Sequence, residues 1–582
     1  MRIEFENEYN NKLMTPQEAV RLIASGDTVY VGTCTSVAYG LCDALSERED
    51  ELENVTLTCS QIIYPVKLLE GSHPGAFKLS TYFMGAQERN CLKKSLLEVN
   101  YSSVHLSQVD LWCRDTQRPD VVFFEVSPPD ENGYMSYGAS GVALHTYLKA
   151  SAKIIILQVN RFAPYVYGEQ NLIHISEADA IVETDRELPE IPNIPVEGTI
   201  KTISGFLLDQ IPDGACIQLG IGGVANAVGY GLKAKNDLGI HTEMMADSMM
   251  ELMKMGVVNN SKKNFIPGKS VSAFTFGSRE LYKYINHNEN MYYLPFPVVN
   301  NPSNIAQNDN MISINTAISV DILGQINADN IGGRQHSATG GQVDFVRGAQ
   351  MSKGGKSFIA IQSTIENEKL GRQSRIVSHF PIGTAVTTPR SDVQYVATEY
   401  GCVNLKLLTM KDRVKAMISL AHPDFRPQLT KDAMLAGLYA HFASKEELLY
   451  AVIDREASEY FLEINEHCQD LKDMFYLIIN YYEKSKTKLY FWKRLFLLPP
   501  RAGAEILDNK VSILSQQRFE LIKKIIASDM EKGTIRCQNV DAVAVAYFSM
   551  IQGLLSTRII FETEDISKHY ESIWQIFWNG IN

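Results

Sequence analysis

The sequence predicts two tandem α/β domains with largely parallel sheets, followed by an all-α C-terminal domain. Up to about residue 420, short runs rich in β-branched and aromatic residues alternate with helical patterns. After about residue 428, apolar residues recur at spacings of three and four, and glycine becomes scarce. The apolar runs are continuous, as is typical of strands buried on both faces of a parallel sheet. Four of them are GDTVYVGT (27–34), VTLTCS (55–60), PDVVFFEVS (119–127) and KIIILQVN (153–160).

A short pattern that occurs twice in the sequence divides the α/β part into two units. Residues 19–33 and 203–223 each combine an apolar helix, a turn with Gly-Asp or Asp-Gly, and a strand that ends near glycine. The acidic, proline-rich stretch 185–198 lies between them and is typical of a linker. We therefore predict domains at 1–190, 191–428 and 429–582.

Composition excludes several functional classes. The 582 residues carry a net charge of −12, which disfavours non-specific binding to nucleic acids or membrane surfaces. The start of the chain mixes charges and lacks the apolar region of a secretory signal, and no apolar run approaches the roughly 18 residues of a membrane span. Nine cysteines show no metal-binding spacing, so we expect reduced thiols and no metal site. A soluble cytoplasmic protein without a membrane partner is expected.

Two glycine-rich loops are candidate ligand sites. In QLGIGGVANAV (218–228), a strand leads through glycines into a helix, whose N-terminus favours an anion. Taken alone, such a turn more often only connects two elements. In SATGGQVDFVRGA (337–349), Gly340 and Gly341 are able to offer backbone amides to an oxyanion. Asp344 and Arg347 in the same stretch have the spacing of a local ion pair.

The segment GIHTEMMADSMM (239–250) places one carboxylate, Glu243, after a short apolar run. This position is the predicted C-terminal end of a strand, where open α/β sheets bind ligands. A solvated surface glutamate is the common alternative. The methionines that follow have spacings suited to a helix packed on a core: Met244, Met245, Met249, Met250 and Met253.

Several motifs together, in this order along residues 5–428, resemble the class I CoA-transferases. The similarity is to the branch of 4-hydroxybutyrate CoA-transferase and acetyl-CoA hydrolase/transferase. The motifs that carry it are SPPDENG, QLGIGGVANAV, GIHTEM, NNPSNIAQ, SVDILGQIN, GGQVDFVRGA and AHPDF.

The resemblance implies roles for individual residues. Glu243 matches the family's nucleophile, with Thr242 where serine is common. Asn301 and Gly341 match positions that contact the acyl group and the oxyanion. A further set matches or adjoins the turns expected to contact coenzyme A: Gly220, Ile221, Gly222, Gly223, Val224, Gly340 and Gly341.

The implied activity is exchange of CoA between a short-chain acyl-CoA and a carboxylic acid by a ping-pong mechanism. Coenzyme A is then both substrate and covalent intermediate, as a glutamyl-CoA thioester, and no permanently bound cofactor is expected. With a reference pKa near 4.3, a glutamate is ionised at neutral pH without a general base. Acetyl-, butyryl- and 4-hydroxybutyryl-CoA are the candidate donors. An acyl-CoA hydrolase is the alternative, since water reaching the same intermediates would hydrolyse them. The lysines of SKGGK (352–356) either contact the ADP phosphates or form a solvated turn.

The C-terminal part carries a second resemblance. LYAHFASKEELLYAVID (438–454) is similar to the segment that ends the helix-turn-helix of TetR-family repressors. Two of the three helices of such a DNA-binding head are missing wholly or mostly upstream. Residues 430–582 also hold 18 Lys and Arg against 21 Asp and Glu, so no DNA binding is expected. An acyl-CoA-sensing regulator is therefore the least favoured function, whereas the helical region predicts a homo-oligomer, most simply a dimer.

Overall fold

Two largely parallel β-sheets organise the first three quarters of the chain. The computed structural model describes residues 2–71, 73, 75–191, 198–220, 222–369, 371–436, 445–483, 485–497, 504–560 and 566–582. Two units are distinguished, residues 1–433 and residues 434–582. Within the first unit, we call residues 2–191 the first half and residues 198–433 the second half.

The first half contains a seven-stranded sheet in which every neighbouring pair is parallel. Its order is β4-β3-β2-β1-β5-β7-β9, while β6 and β8 form a separate antiparallel pair. The four apolar runs selected from the sequence are confirmed as strands β1, β2, β5 and β7. The strands are β1 (Thr28–Thr33), β2 (Val55–Ser60), β3 (Phe77–Thr81), β4 (Glu98–Tyr101), β5 (Val121–Val126), β6 (Tyr134–Ser136), β7 (Ile154–Val159), β8 (Leu172–His174) and β9 (Ala180–Glu183).

The second half repeats this arrangement in an eight-stranded sheet of order β13-β12-β11-β10-β14-β19-β23-β24. Only the edge pair β23 and β24 is antiparallel in this sheet. The strands are β10 (Cys216–Leu219), β11 (Gly239–Met245), β12 (Ser270–Thr275), β13 (Met291–Tyr293), β14 (Met311–Thr316), β15 (Ser319–Asp321), β16 (Ile326–Asn327), β17 (Asn330–Ile331), β18 (Arg334–Gln335), β19 (Lys356–Ala360), β20 (Thr364–Asn367), β21 (Gly371–Ser374), β22 (Ile376–Val377), β23 (Tyr395–Thr398) and β24 (Gly401–Asn404).

Helices connect the strands, and their starts follow the sequence. Thr409, for example, accepts a hydrogen bond from the Asp412 N–H at 3.2 Å and caps the helix that begins at Met410. The α-helices of this unit are Ile3–Lys12, Pro16–Ala19, Tyr39–Ser46, Ala86–Lys94, Val109–Leu111, Gly138–Gly141, His145–Lys149, Thr199–Leu208, Gly223–Gly231, Asp247–Lys254, Arg279–Ile285, Phe296–Val299, Pro302–Ile305, Gln342–Met351, Met410–Leu420 and Arg426–Ala436. A π-helical turn lies at Trp112–Gln117, and 3-10 turns lie at Val20–Leu22, Lys67–Leu69, Leu106–Gln108, Ile175–Glu177, Leu232–Ala234 and Pro423–Phe425.

One cluster of buried side chains joins the two halves. It includes Phe124 and Tyr137 of the first half together with Ile217 and Phe345 of the second. The methionines after Glu243 belong to the same cluster, as predicted, but only part of them is helical. Met244 and Met245 end strand β11, and the helix begins at Asp247. The two halves therefore share a core, so the cleft between them is built from both.

The second unit is entirely helical in the part that the structure describes, which confirms the predicted change of character. Its core packs large aromatic side chains such as Phe475, Tyr547 and Trp574. The repressor-like motif at 438–454 falls partly on residues 437–444, which lie outside the described residues. The helices are Lys445–His467, Leu471–Glu483, Lys486–Leu497, Ala504–Glu531, Val540–Ile560 and Tyr570–Ile581, with a 3-10 turn at Ile566–His569.

One of these helices corrects an expectation about apolar runs. The stretch Val540–Arg558 is long and apolar enough, by length and composition alone, to cross a membrane. A core helix of a helical bundle passes the same test, and five side chains of this stretch are buried in the unit's core: Val543, Ala544, Tyr547, Ile551 and Leu555. This finding by itself is weak evidence for a membrane span.

All nine cysteines are free thiols, six of them buried. Among the described residues, no group of three or more His, Cys, Asp or Glu side chains is arranged to hold a metal ion.

Candidate active site

Glu243 lies near the C-terminal end of β11, which pairs in parallel with β10 and β12. Its neighbours Thr242 and Met244 are buried, whereas the Glu243 side chain is partly exposed and lines a cavity. His241 and Met245, which share the face of the strand with Glu243, are buried, so the partial exposure of Glu243 comes from the cavity beside it and not from the alternation of the strand. A carboxylate is thus presented at the sheet edge where α/β folds bind ligands.

Asn300 holds this carboxylate. Its side-chain Nδ2 donates to Glu243 Oε2 over 2.7 Å, and the residue is fully buried directly after the short helix Phe296–Val299. This asparagine was missed by the sequence reasoning, which selected the adjacent residue of the same NNPS motif.

Asn301, the predicted oxyanion contact, has a different position. Its Oδ1 accepts from the Ser303 N–H at 2.9 Å and caps the helix Pro302–Ile305. Proline at the first helical position makes the preceding residue the cap, so the Asn301 side chain turns back to its own helix. The asparagine that contacts Glu243 is therefore Asn300, while the contact of Asn301 with the acyl group and the oxyanion, which the family resemblance implies, stays a prediction.

Gly341 lies against the same carboxylate from a third element. It is the N-cap of the helix Gln342–Met351, and its backbone N–H faces the Glu243 carboxylate. A Cβ at this position would collide with Glu243 Oε2 and with Asn300 Nδ2, so only glycine fits. Gly340 before it has a φ of +61°, which glycine adopts at little cost. The turn brings the positive end of a helix dipole to the carboxylate.

Asp344 and Arg347 do not pair with each other, contrary to the local ion pair predicted from their spacing. Asp344 is buried and accepts two hydrogen bonds from Ser107 of the first half, from its N–H at 3.1 Å and its hydroxyl at 2.7 Å. Arg347 reaches Asp392 at 2.8 Å instead. Tertiary partners far away in sequence replace the local pair, and no pattern around 344–347 indicates them.

The electrostatics of Glu243 also differ from the sequence-based expectation. Burial raises the pKa of Glu243 to about 7, and the nearby charge of Asp344 adds to the rise. The hydrogen bonds from Asn300 and Gly341 oppose it. A protonated fraction of the unliganded side chain is therefore expected near neutral pH, in contrast to the full ionisation predicted from the sequence.

A cavity in front of Glu243 is lined by residues of both halves. The first half contributes the ends of β1, β2 and β3, where Thr33 Oγ1 and Ser60 Oγ lie 2.6 Å apart and Ser60 donates to the Tyr82 hydroxyl at 2.9 Å. Two non-glycine residues with positive φ, Cys34 and Gln61, also line it. The lining residues are Thr33, Cys34, Ser60, Gln61, Tyr82, Phe83, Leu106, Ser140, Ala143, Glu243, Phe274, Phe296 and Gly340.

The glycine loop expected to contact CoA follows β10, the strand next to β11. Gly220 directly follows the strand, Gly222 has a φ of +124° and caps the helix that starts at Gly223, and Val224 is buried. Ile221 lies outside the described residues. Since β10 and β11 are parallel, the loop and Glu243 lie at the same edge of the sheet. In the SKGGK stretch (352–356), which the sequence offers as a possible contact for the ADP phosphates, Lys356 Nζ donates to the Gln210 carbonyl at 3.1 Å.

Comparisons with known proteins cover the first three quarters of the chain. Residues 1–192 match the model of the acetyl-CoA hydrolase/transferase N-terminal domain, and residues 277–433 match the model of the corresponding C-terminal domain. A succinyl-CoA:cyclohexane-1-carboxylate CoA transferase of Geobacter metallireducens is 39% identical over 74% of this chain and 96% of its own length. A 4-hydroxybutyrate coenzyme A transferase of Clostridium kluyveri is 38% identical over 74% of this chain and 99% of its own.

Solved structures show the same fold for this part of the chain. The crystal structure of RipA from Yersinia pestis superposes with a TM-score of 0.70 at 38% identity, covering 75% of this chain and 99% of that one. A 4-hydroxybutyrate CoA-transferase of Porphyromonas gingivalis superposes with a TM-score of 0.62 at 32% identity, over 74% and 100% of the two chains.

The chain therefore belongs to the acetyl-CoA hydrolase/transferase family. It is an acyl-CoA:carboxylate CoA-transferase, and coenzyme A is one of its substrates.

Proposed function

We propose that Glu243 is the nucleophile of a ping-pong exchange in which CoA passes from a short-chain acyl-CoA to a carboxylic acid. The observation that carries the proposal is the Glu243 carboxylate at the wall of a closed-in cavity, held by Asn300 and faced by the Gly341 N–H. A carboxylate presented in this way is able to act as a nucleophile. The N–H groups of Asn300 and Gly341 are already in place to stabilise negative charge on its oxygen during the reaction.

The first step is attack of Glu243 Oε1 on the thioester carbonyl carbon of the acyl-CoA. A C–O bond forms, the C–S bond breaks, and CoA leaves as a thiolate, which gives an acyl-glutamyl anhydride. We assign Oε1 as the attacking atom because Asn300 already binds Oε2.

In the second step the thiolate attacks Cδ of Glu243. Negative charge then develops on Oε2, the oxygen that accepts from Asn300 Nδ2 and lies at the Gly341 turn. The Cδ–Oε1 bond breaks, the donor acid leaves as a carboxylate, and a glutamyl-CoA thioester remains. The acceptor carboxylate reverses both steps. Donors fixed before the reaction stabilise this oxyanion without reorganisation.

The cavity supports a short acyl group. Leu106, Ala143, Phe274 and Phe296 supply apolar walls, and the hydroxyl groups of Thr33, Ser60 and Tyr82 supply a polar end. Acetyl, butyryl and 4-hydroxybutyryl groups combine a short apolar chain with few polar atoms, which suits this lining. The names of related proteins, such as a butyryl-CoA:acetate CoA-transferase of Anaerostipes caccae at 36% identity, support this substrate class.

Hydrolysis is the second candidate activity. A protein named acetyl-CoA hydrolase from Candida albicans is 26% identical over 54% of this chain, less similar than the transferases. The two activities differ only in whether water or a carboxylic acid reaches the glutamyl intermediates. Release of free CoA from acetyl-CoA without an added acid identifies a hydrolase, whereas CoA release that requires an acceptor acid identifies a transferase.

For the helical unit we infer a TetR-like ligand-binding and dimerising body without a complete DNA-binding head. The motif at 438–454 and the net negative charge of residues 430–582 support this inference. The expected assembly is a homodimer in the cytoplasm that does not bind DNA. Light scattering of the full chain is expected to give twice the monomer mass of 65.2 kDa. A monomer, or a band retarded on duplex DNA, would contradict it.

The test of the catalytic proposal is trapping of the intermediate. Borohydride or hydroxylamine is expected to inactivate the enzyme only after incubation with acyl-CoA, because only then does Glu243 carry an activated carbonyl. Inactivation that does not depend on acyl-CoA would count against the proposal.

A further inference from the structure

His241 lies two residues before Glu243 on β11 and is fully buried. Its Nε2 donates to the Val299 carbonyl over 2.8 Å. That carbonyl belongs to the peptide unit whose nitrogen is the nitrogen of Asn300. Because a peptide unit is planar, fixing its carbonyl oxygen also fixes the direction in which the chain enters Asn300.

The orientation of the His241 ring is itself determined by Asn308. Asn308 Nδ2 donates to His241 Nδ1 over 3.1 Å, while Asn308 Oδ1 accepts from the Phe265 N–H at 3.1 Å. The second contact fixes which end of the amide faces the ring, so Nδ1 is the acceptor and Nε2 carries the proton. A hydrogen bond to one ring nitrogen thus sets what the other nitrogen is able to do.

His241 also packs on the element that carries the second donor. Its ring lies 6.0 Å from the ring of Phe345, edge to face, and Phe345 belongs to the helix that Gly341 caps. On its other side lies Phe265, with ring centroids 5.3 Å apart. One side chain therefore contacts both structural elements that hold the nucleophile.

We propose that His241 is a positioning residue, which rests on the proposed role of Glu243. It acts by fixing the turn at Val299 and Asn300, and thereby the hydrogen bond from Asn300 to Glu243. It does not touch the reacting atoms.

The imidazole keeps this role across the working pH range. Burial lowers the pKa of His241 to about 3, and the buried ammonium of Lys263 nearby lowers it further. A neutral ring with a single Nε2 proton is therefore present wherever Glu243 titrates. The other titratable groups that face Glu243 are Asp344 and Tyr82.

Two consequences distinguish positioning from a merely structural role. The substitution His241→Phe removes the donor but keeps an aromatic ring. We expect kcat to fall about 10- to 100-fold, the range typical of residues that hydrogen-bond to the ligands of a metal. KM should change little. The acidic limb of the pH profile should also move to higher pH, because the Asn300 hydrogen bond favours the ionised form of Glu243. The substitution His241→Gln, which retains an N–H at similar reach, should restore most of the rate.

The experiment is a double-mutant cycle of His241→Phe and Asn300→Ala. Each protein is mixed with acetyl-CoA, and the measured quantity is the initial rate at which the CoA adduct forms on the peptide that holds Glu243. If His241 acts through Asn300, His241→Phe should have almost no further effect in the Asn300→Ala background. An equal fold-loss in both backgrounds overturns the proposal. The matched control is His145→Phe, which replaces a buried histidine stacked on Phe124 in the first half and should leave the rate unchanged.

Should His241→Phe fail to fold, the cycle is run with Asn308→Ala, which releases the ring orientation, and with His241→Gln. Loss of rate in Asn308→Ala that disappears in the Asn300→Ala background supports the proposal, and loss that persists there overturns it. An absence of any adduct in the unmodified protein would instead contradict the role of Glu243, so the two failures are distinguishable.

Discussion

Ser107 binds both carboxylate oxygens of Asp344, with its backbone N–H at 3.1 Å and its hydroxyl at 2.7 Å. These hydrogen bonds tie a loop of the first half to the first turn of the helix that Gly341 caps. They also keep a second buried carboxyl group close to Glu243, where its negative charge raises the pKa of the nucleophile.

The first prediction concerns this carboxyl pair. In Asp344→Asn the neighbouring negative charge is gone, so the pKa of Glu243 falls from about 7. Activity requires ionised Glu243 and is lost as the pH drops through that pKa, so the acidic limb of kcat/KM should move to lower pH. The control Asp392→Asn breaks the ion pair with Arg347 and should leave the limb in place. A limb that stays put or moves upward in Asp344→Asn would show that Asp344 does not act on Glu243 by its charge.

The second prediction separates the two neighbouring asparagines. Asn300→Ala removes a donor to Glu243 Oε2, and loss of one oxyanion donor typically lowers kcat by about 10² to 10³. Asn301→Ala removes a helix cap and should cost about 1 kcal/mol of stability with little change in rate. Steady-state kinetics and thermal unfolding of both variants check this. The reverse order of effects would restore Asn301 as the oxyanion residue.

The third prediction concerns the closest glycine. Gly341→Ala places a methyl group on top of Glu243 Oε2 and Asn300 Nδ2, so adduct formation should be abolished. Gly340→Ala has open space for its methyl group but a left-handed φ, so it should mainly lower stability, by about 1 kcal/mol. Comparison of adduct yield with melting temperature separates the two effects. An active Gly341→Ala enzyme would mean that the turn lies elsewhere.

The fourth prediction tests the acyl cavity. Ala143 lines the cavity in which we propose that the acyl chain binds, and Ala143→Leu adds three carbon atoms there. We expect kcat/KM for butyryl-CoA to fall at least about tenfold relative to acetyl-CoA, since one methylene is worth about 1 to 3 kcal/mol of discrimination. Competition assays with the two donors measure the ratio. A proportional loss for both donors would place the acyl chain outside this cavity.

The fold was predictable because its signals are local or repetitive. Continuous apolar runs such as VTLTCS and KIIILQVN form the inner strands β2 and β7. The helix-turn-strand pattern that occurs twice in the sequence corresponds to the same strand order in both sheets. The packing of the first half against the second carries no such signal, because it joins residues that are far apart in the sequence. The meeting of Ser107 with Asp344 therefore became visible only in three dimensions.

The candidate site was predictable in outline and not in detail. The motif order singled out Glu243 and Gly341, which the structure brings together. The motif alone does not tell which of the two asparagines faces Glu243. That depends on Pro302, which starts a helix and makes Asn301 its cap, so that Asn300 donates to Glu243. The sequence also predicts a fully ionised Glu243, whereas burial raises its pKa to about 7. The free energy of burying a carboxylate depends on the surrounding cavity and not on the adjacent sequence.

The role of Glu243 as nucleophile requires that coenzyme A becomes attached to this side chain during turnover. The protein is mixed with acetyl-CoA at pH 8, above the pKa of Glu243, digested, and analysed by mass spectrometry, with Glu243→Gln as the control. We expect a CoA adduct on the peptide that holds Glu243 in the unmodified protein and no adduct in the variant. Acyl exchange that proceeds without this adduct, or that survives in Glu243→Gln with undeamidated glutamine, would contradict it.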